Sequence, residues 1–182
     1  MKKTLWLLCA AVITSCLFAA CDESSEAGEY ADWRNRNQRF IDSIAAVAEE
    51  NIDGNWRKYK SFTLPADNPN DLGLVKDVNH YAYCHIEQRG TGTESPIFTD
   101  SIRANYRVWL INDVLIDQSF RGEFNPDISV PGKFAMNSTI VGWTTALQQM
   151  HVGDSWTIYI PYSMGYGERE SGIIPGYSTL KY

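Results

Sequence analysis

Apolar and polar positions change period several times along the chain, and each change marks an element. Between residues 29 and 51, Trp33, Phe40, Ile41, Ile44, Val47 and Ala48 share one helical face, with Arg34, Arg36, Asp42, Glu49 and Glu50 elsewhere. This is the stripe of an amphipathic helix, and Asp53 followed by Gly54 reads as its stop. A helix of that size is about 30 Å long. It could pack on its own domain, act as a spacer, or pair with a second copy; the lack of a sustained heptad register weighs for the first two. Residues 55–71 lose the pattern, and Leu64, Pro65, Asn68, Pro69 and Asn70 are turn chemistry suited to a linker.

Downstream the period falls to two. Residues 78–87 are strand-like, and Gly90 and Gly92 break the run. Ile102, Ala104, Tyr106, Val108 and Leu110 then alternate with Arg103, Asn105, Arg107 and Trp109, which predicts one antiparallel strand with a core face and a wet face. Val114, Ile116 and Asp117 mark a further strand, a Gly- and Pro-containing loop covers 119–132, and a strand segment follows at 134–136. Trp143, Leu147 and Met150 recur at i, i+4 and i+7, so they predict a short helix, with Gly153 as its terminator. Trp156, Ile158 and Ile160 alternate with Thr157 and Tyr159 as a half-buried strand. Antiparallel strands with a single short helix make an α+β domain over 72–182. Its sheet curls around the helix, and the N-terminal helix precedes it.

The start of the chain has a different character. Lys2 and Lys3 precede an apolar run over 5–20, short for a spanning helix of ~20 apolar residues but suited to a signal-peptide core. Phe18, Ala19, Ala20 and Cys21 resemble the lipobox of bacterial lipoproteins, which implies removal of 1–20 and lipidation of Cys21. Cys16, after Ile13, Thr14 and Ser15, fits the same pattern, and a plain secretory signal is the other reading. Cys21 is preferred because it opens directly onto Asp22, Glu23, Ser24, Ser25 and Glu26, whereas cleavage at Cys16 would leave an apolar stub. Those acidic residues act either as an export tag or as a solvated tether. The organisation is thus a signal over 1–20, an acidic tether, helix and linker over 21–71, and the domain.

Charge and reactive side chains narrow the chemistry. Losing 1–20 removes Lys2 and Lys3 and no acid, leaving 14 basic against 22 acidic residues and a net charge of −8. Nucleic acids and anionic lipid surfaces require clustered Lys and Arg, so neither is an expected partner. With Cys9, Cys16 and Cys21 in the leader, Cys84 is alone in the domain. It offers no disulfide framework and reads as a buried structural thiol. His80, His85 and His151 have no metal-ligand spacing, no serine stands in a nucleophile elbow, and the Gly-x-Gly pieces lack phosphate-loop context. No metal or other cofactor is expected.

One constellation does point to a family. Ile140-Val-Gly-Trp143, a helix ending Met-x-x-Gly at Met150 and Gly153, a strand ending Ile160-Pro161, the Tyr166-Gly167 pair and Gly172-Ile-Ile-Pro175 occur in order within about forty residues. Together they resemble the FK506-binding-protein type of peptidyl-prolyl cis-trans isomerase, with 106–119 extending the likeness upstream. The resemblance implies an isomerase acting on proline-containing peptides or unfolded exported proteins, as a monomer or weak dimer held by a lipid anchor in the outer membrane, facing the periplasm or the exterior. It assigns Trp143 to the floor under the proline ring, with Ile140 and Ile174 as walls and Tyr106 as an aromatic side. Tyr166 would meet a substrate carbonyl, Asp117 would orient Tyr106 or face the twisted carbonyl, and Ile116, Phe134 and Tyr182 would complete the pocket. The alternative is an inactive peptide-binding or surface-assembly module.

The sequence departs from the family at Ile116, where Phe is usual, at Gly132, where a second aromatic is usual, and at Gly176, where a second proline is often found. The family pattern also continues past the position of Tyr182 for about another strand, usually central in the sheet. The resemblance therefore implies a truncated last strand, its gap left open or filled by another segment.

Overall fold

The computed structural model describes residues 28–65 and 77–182. Within it, Asp32–Tyr182 forms one compact unit. The leader with Cys21, residues 66–71 of the expected linker and residues 72–76 of the expected domain lie outside the described residues.

Helix α1 spans Trp33–Glu50 and ends on Asn51, whose left-handed backbone donates its N–H to the Val47 carbonyl. Strand β1 (Trp56–Lys60) follows, where the lost periodicity had predicted linker. Next come β2 (Tyr81–Gln88), β3 (Ser101–Ala104), β4 (Arg107–Trp109), β5 (Leu115–Gln118) and β6 (Gly132–Ala135). Helix α2 (Val141–Leu147), β7 (Ser155–Ile160) and β8 (Leu180–Lys181) complete the order. Six strands form an antiparallel sheet in the order β1-β2-β7-β8-β4-β5, and β3 pairs with β6 in a separate ribbon. The α+β architecture, an antiparallel curled sheet around a short helix with a further helix before it, is as expected. The domain, however, begins upstream of residue 72, because β1 is an edge strand of the same sheet and α1 packs on it.

Strand β2 explains how two helices share one sheet. Successive side chains point to opposite faces: Ala82 and Cys84 join the cluster with Trp143, Ala146 and Leu147 of α2, whereas Tyr81 and Tyr83 pack with Ile41 of α1. Both faces are buried, so the strand reads as a continuous apolar run instead of an alternating one. Full burial of one such side chain stabilises by roughly 1.5–3 kcal/mol, and Ile41 and Trp33 contribute in that way from α1.

Two expectations are corrected. The single alternating strand over 102–110 is two, because the chain breaks at Asn105 and Tyr106, where Tyr106 exchanges backbone bonds with Ser119 (its N–H to Ser119 Oγ and its carbonyl to Ser119 N–H, both 2.9 Å). Helix α2 stops at Leu147, with Gln149 and Met150 tightening into a final turn. Gly153 is instead a left-handed residue just ahead of β7, φ +92°. At the centre of the sheet, Lys181 pairs with both Tyr159 of β7 and Trp109 of β4.

Candidate active site

The site is assembled around the break that separates β3 from β4. Because Tyr106 sits in that break, its ring leaves the strand alternation. Its hydroxyl then meets Asp117 of β5, donating to Oδ2 at 2.5 Å, while Asp117 Oδ1 accepts the Gln118 N–H at 2.8 Å. Phe134 comes from β6, opposite Ile102 in the ribbon. Trp143 comes from α2, which can lie close to β7 because position 142 is glycine. A Cβ there would stand 2.3 Å from Ile160 Cγ2. Tyr182 follows β8 and exchanges both backbone bonds with Ile158, at 2.8 and 2.9 Å.

These four rings form a box. Trp143 stacks on Tyr182 at 5.5 Å between centroids and 26° between planes. Phe134 meets Trp143 edge-on at 5.0 Å and 89°, and Tyr106 meets Phe134 at 5.5 Å and Trp143 at 5.7 Å, both edge-on. Offset and edge-to-face arrangements of this kind are the favoured ones for aromatic quadrupoles. Trp143 is nearly buried, Ile174 is buried in the same cluster, and Ile116 and Ile140 are half-buried against it. Beside the box, an open depression of about 420 Å³ runs along 115–121, lined by Ile116, Asp117 and Phe120 among others.

Electrostatics agree with a partly dry site. Burial, followed by the hydrogen bond to Asp117, pushes the Tyr106 hydroxyl up to about 12, so it is a proton donor at neutral pH. Burial also pushes Tyr182 up. Tyr166 is 44% exposed in the loop after a short 3-10 turn at Tyr162–Met164, and its hydroxyl bears electrostatically on both Tyr106 and Tyr182. Tyr106, Asp117, Phe134, Trp143 and Tyr182 are thus brought together, Ile116, Ile140 and Ile174 border them, and Tyr166 and Asp117 are exposed. Cys84 is fully buried in β2 opposite Ile158, and burial raises its thiol pKa.

A model of the FKBP-type peptidyl-prolyl cis-trans isomerase family matches residues 92–182, half of the chain. The chain belongs to this family. It is 38% identical over 144 residues to a macrophage infectivity potentiator of Trypanosoma cruzi, a match covering 78% of this chain and 69% of that protein. It is 40% identical over 89 residues to the FKBP-type 22 kDa peptidyl-prolyl cis-trans isomerase of Escherichia coli, covering 48% and 40%. It is 29% identical over 125 residues to the outer membrane protein MIP of Legionella longbeachae, covering 69% and 50%. The chain therefore spans half or less of the last two. Among solved structures, a peptidyl-prolyl cis-trans isomerase of Pseudomonas syringae superposes with a TM-score of 0.53 at 20% identity, covering 80% of this chain and 89% of that one. FkpA of E. coli superposes at 0.51 and 20%, covering 99% and 67%. Both show the FKBP fold.

The geometry accounts for two departures from the FKBP pattern. A Cβ at Gly132 would stand 2.7 Å from Phe134 Cζ, so the Phe134 ring occupies the space a larger residue at 132 would need. At Gly176 a Cβ would stand 2.1 Å from the Glu168 carbonyl oxygen, which leaves no room for a proline ring. Sequence reading also passed over Asn37. It is 1% exposed and accepts the Thr179 N–H at 2.7 Å. The available signal was a polar residue one turn after Trp33, on the apolar stripe of α1.

Proposed function

We propose that this FKBP-type isomerase acts on X–Pro bonds of exported, incompletely folded proteins from a lipid anchor at Cys21 in the cell envelope. The observation that carries the reading is the box of Tyr106, Phe134, Trp143 and Tyr182 with the Tyr106–Asp117 bond on one side. The barrier to be lowered is amide resonance, about 18–20 kcal/mol, and each ~1.4 kcal/mol removed gives tenfold in rate. No covalent bond breaks, so no nucleophile is needed. The twisted amide has less charge separation than the planar one, and a low-dielectric aromatic site therefore disfavours the ground state more than the transition state. Contacts to residues flanking the proline hold the twisted form.

In this reading Trp143 floors the proline site, with Ile116, Ile140, Ile174, Phe134 and Tyr182 around it. The Tyr166 hydroxyl and the Ile140 backbone N–H, at the start of α2, meet substrate carbonyls, and Asp117 fixes Tyr106. The envelope location is supported by the lipobox-like Cys21 and by similarity to a protein named for the outer membrane. A monomer is favoured, because α1 spends its apolar face on its own sheet.

The test is a protease-coupled assay on a prolyl tetrapeptide with the full chain and Tyr166→Phe. Turnover above the uncatalysed tens of seconds, reduced in the folded variant, supports the reading. A wild-type rate equal to the uncatalysed one would leave a peptide-binding module in its place.

A further inference from the structure

Residues 165–179 carry both Tyr166 and Ile174, yet they contain only a single isolated bridge of their own, Ser171 with Ile174. Part of what holds this stretch comes from α1. Trp33 Nε1 donates to Ser178 Oγ at 2.9 Å, and Ser178 Oγ in turn donates to the Pro175 carbonyl at 2.6 Å, next to Ile174. Asn37 uses both ends of its amide: Oδ1 accepts the Thr179 N–H at 2.7 Å, and Nδ2 donates to the Trp33 carbonyl at 2.8 Å. Trp33, Asn37, Ser178 and Thr179 are all buried, between 1% and 7% exposed. Competition from water for these bonds is therefore slight.

The chain of contacts continues to Tyr166. Tyr177 takes a left-handed backbone, φ 60°, an uncommon conformation for a bulky residue that persists only where its surroundings enforce it. The Arg34 guanidinium lies 4.4 Å over its ring, and Tyr162 packs against it at 5.1 Å. Tyr177 N–H then donates to the carbonyl of Gly167, the residue after Tyr166, at 2.9 Å. Gly176 fits against Glu168 backbone with no space for a Cβ. The limb bearing Tyr166 and the limb bearing Ile174 are thus locked together, and α1 grips the second of them.

We propose that α1 is a brace for the active-site loop, with Trp33 and Asn37 as positioning residues that fix Tyr166 and Ile174 through Ser178, Thr179 and Tyr177. This rests on the isomerase reading above. The N-terminal helix then belongs to the catalytic apparatus of this chain and is more than a spacer between the anchor and the domain.

The experiment uses the full chain with Asn37→Leu, which keeps volume and loses both amide bonds, and Trp33→Phe, which removes the indole donor along with one fused ring, keeps both Asn37 bonds and serves if the first variant does not fold. Ile41→Val, on the same helix but packed against Tyr81 and Tyr83, is the control for lost stability alone. At a temperature where each protein is fully folded by circular dichroism, kcat/KM should fall about tenfold in Asn37→Leu and less in Trp33→Phe, and stay unchanged in Ile41→Val. Amide exchange at Tyr177, whose N–H bonds Gly167 and not α1, should quicken about tenfold in Asn37→Leu and detectably in Trp33→Phe, with the β2 amides unaffected. Activity that merely follows thermal stability across all three variants, or an unchanged Tyr177 amide in the folded variants, would overturn the brace. A wild-type chain without turnover would instead sink the isomerase reading, and the Tyr177 amide would still decide the brace.

Discussion

Tyr106 shows how one side chain ties local conformation to chemistry. Its hydroxyl reaches Asp117 only because its backbone leaves the strand and bonds Ser119. Tyr106→Phe deletes the bond while keeping the ring in the box, so turnover should drop several-fold with a stability change of about 1 kcal/mol, read by assay and by urea unfolding. The pH dependence has a definite sign. The folded pKa is raised from the ordinary 10 to about 12, so the neutral hydroxyl's contribution is complete below pH 10 and is lost as pH rises towards 12. Tyr106→Phe should flatten that alkaline loss, and an unchanged profile would show that another group dominates it. Trp143 has a heavier structural role. It belongs to the main core as well as to the box, and Trp143→Ala should cost roughly 3–5 kcal/mol in denaturant unfolding. The aromatic and aliphatic members of this site were legible in the sequence from family motifs. Asn37 and Tyr177 were not, since nothing local marks a buried amide or a left-handed tyrosine as partners of residues some 140 positions away in sequence.

The turn that joins α1 to β1 carries its own electrostatic clasp. His85 of β2 is bonded at Nε2 by Asp53 (2.7 Å) and at Nδ1 by Glu87 (2.9 Å). Trp56 lies against its ring, and Thr157 donates to Glu87 from β7. Both ring nitrogens can donate only in the imidazolium, and the bonds to Asp53 and then Glu87 raise the His85 pKa above 6.5. That contribution is full below 6.5 and fades as pH rises through the raised value. The Asn55 N–H chiefly, then His85, lowers Asp53, and His85 chiefly lowers Glu87. Their contributions hold above the ordinary 3.8 and 4.5 and fade as pH falls through the lowered values. His85→Gln should therefore remove the fall in melting temperature that sets in as pH rises above 6.5 through the raised value. An identical slope in the variant would show that the clasp contributes nothing. The element itself was half legible. The stripe of α1 was plain, but β1 was read as linker, because an edge strand with Arg57, Lys58 and Lys60 shows little alternation until β2 and α1 are placed beside it.

For the protein as a body in the cell, the proposed anchor at Cys21 and the domain make separable predictions. Cys21→Ser should move the chain from the membrane fraction to the soluble one with prolyl turnover intact, as followed by fractionation and assay. Retention on membranes would place the anchor at Cys16 or in an uncleaved leader. Local pattern was enough to read a helix, a set of strands and a motif series, because periodicity and turn chemistry act over a few residues and the FKBP motifs lie in forty consecutive positions. The folded chain settled matters that depend on distant partners. Residues 102–110 divide between two sheets because Ser119 captures the backbone at Tyr106. Between β7 and β4 lies Lys181, whose neighbours on both sides, Tyr159 and Trp109, come from distant parts of the chain. The faces of α1 and α2 close on opposite sides of β2, since burial is won only where a second apolar surface arrives, and that surface is supplied by another part of the chain.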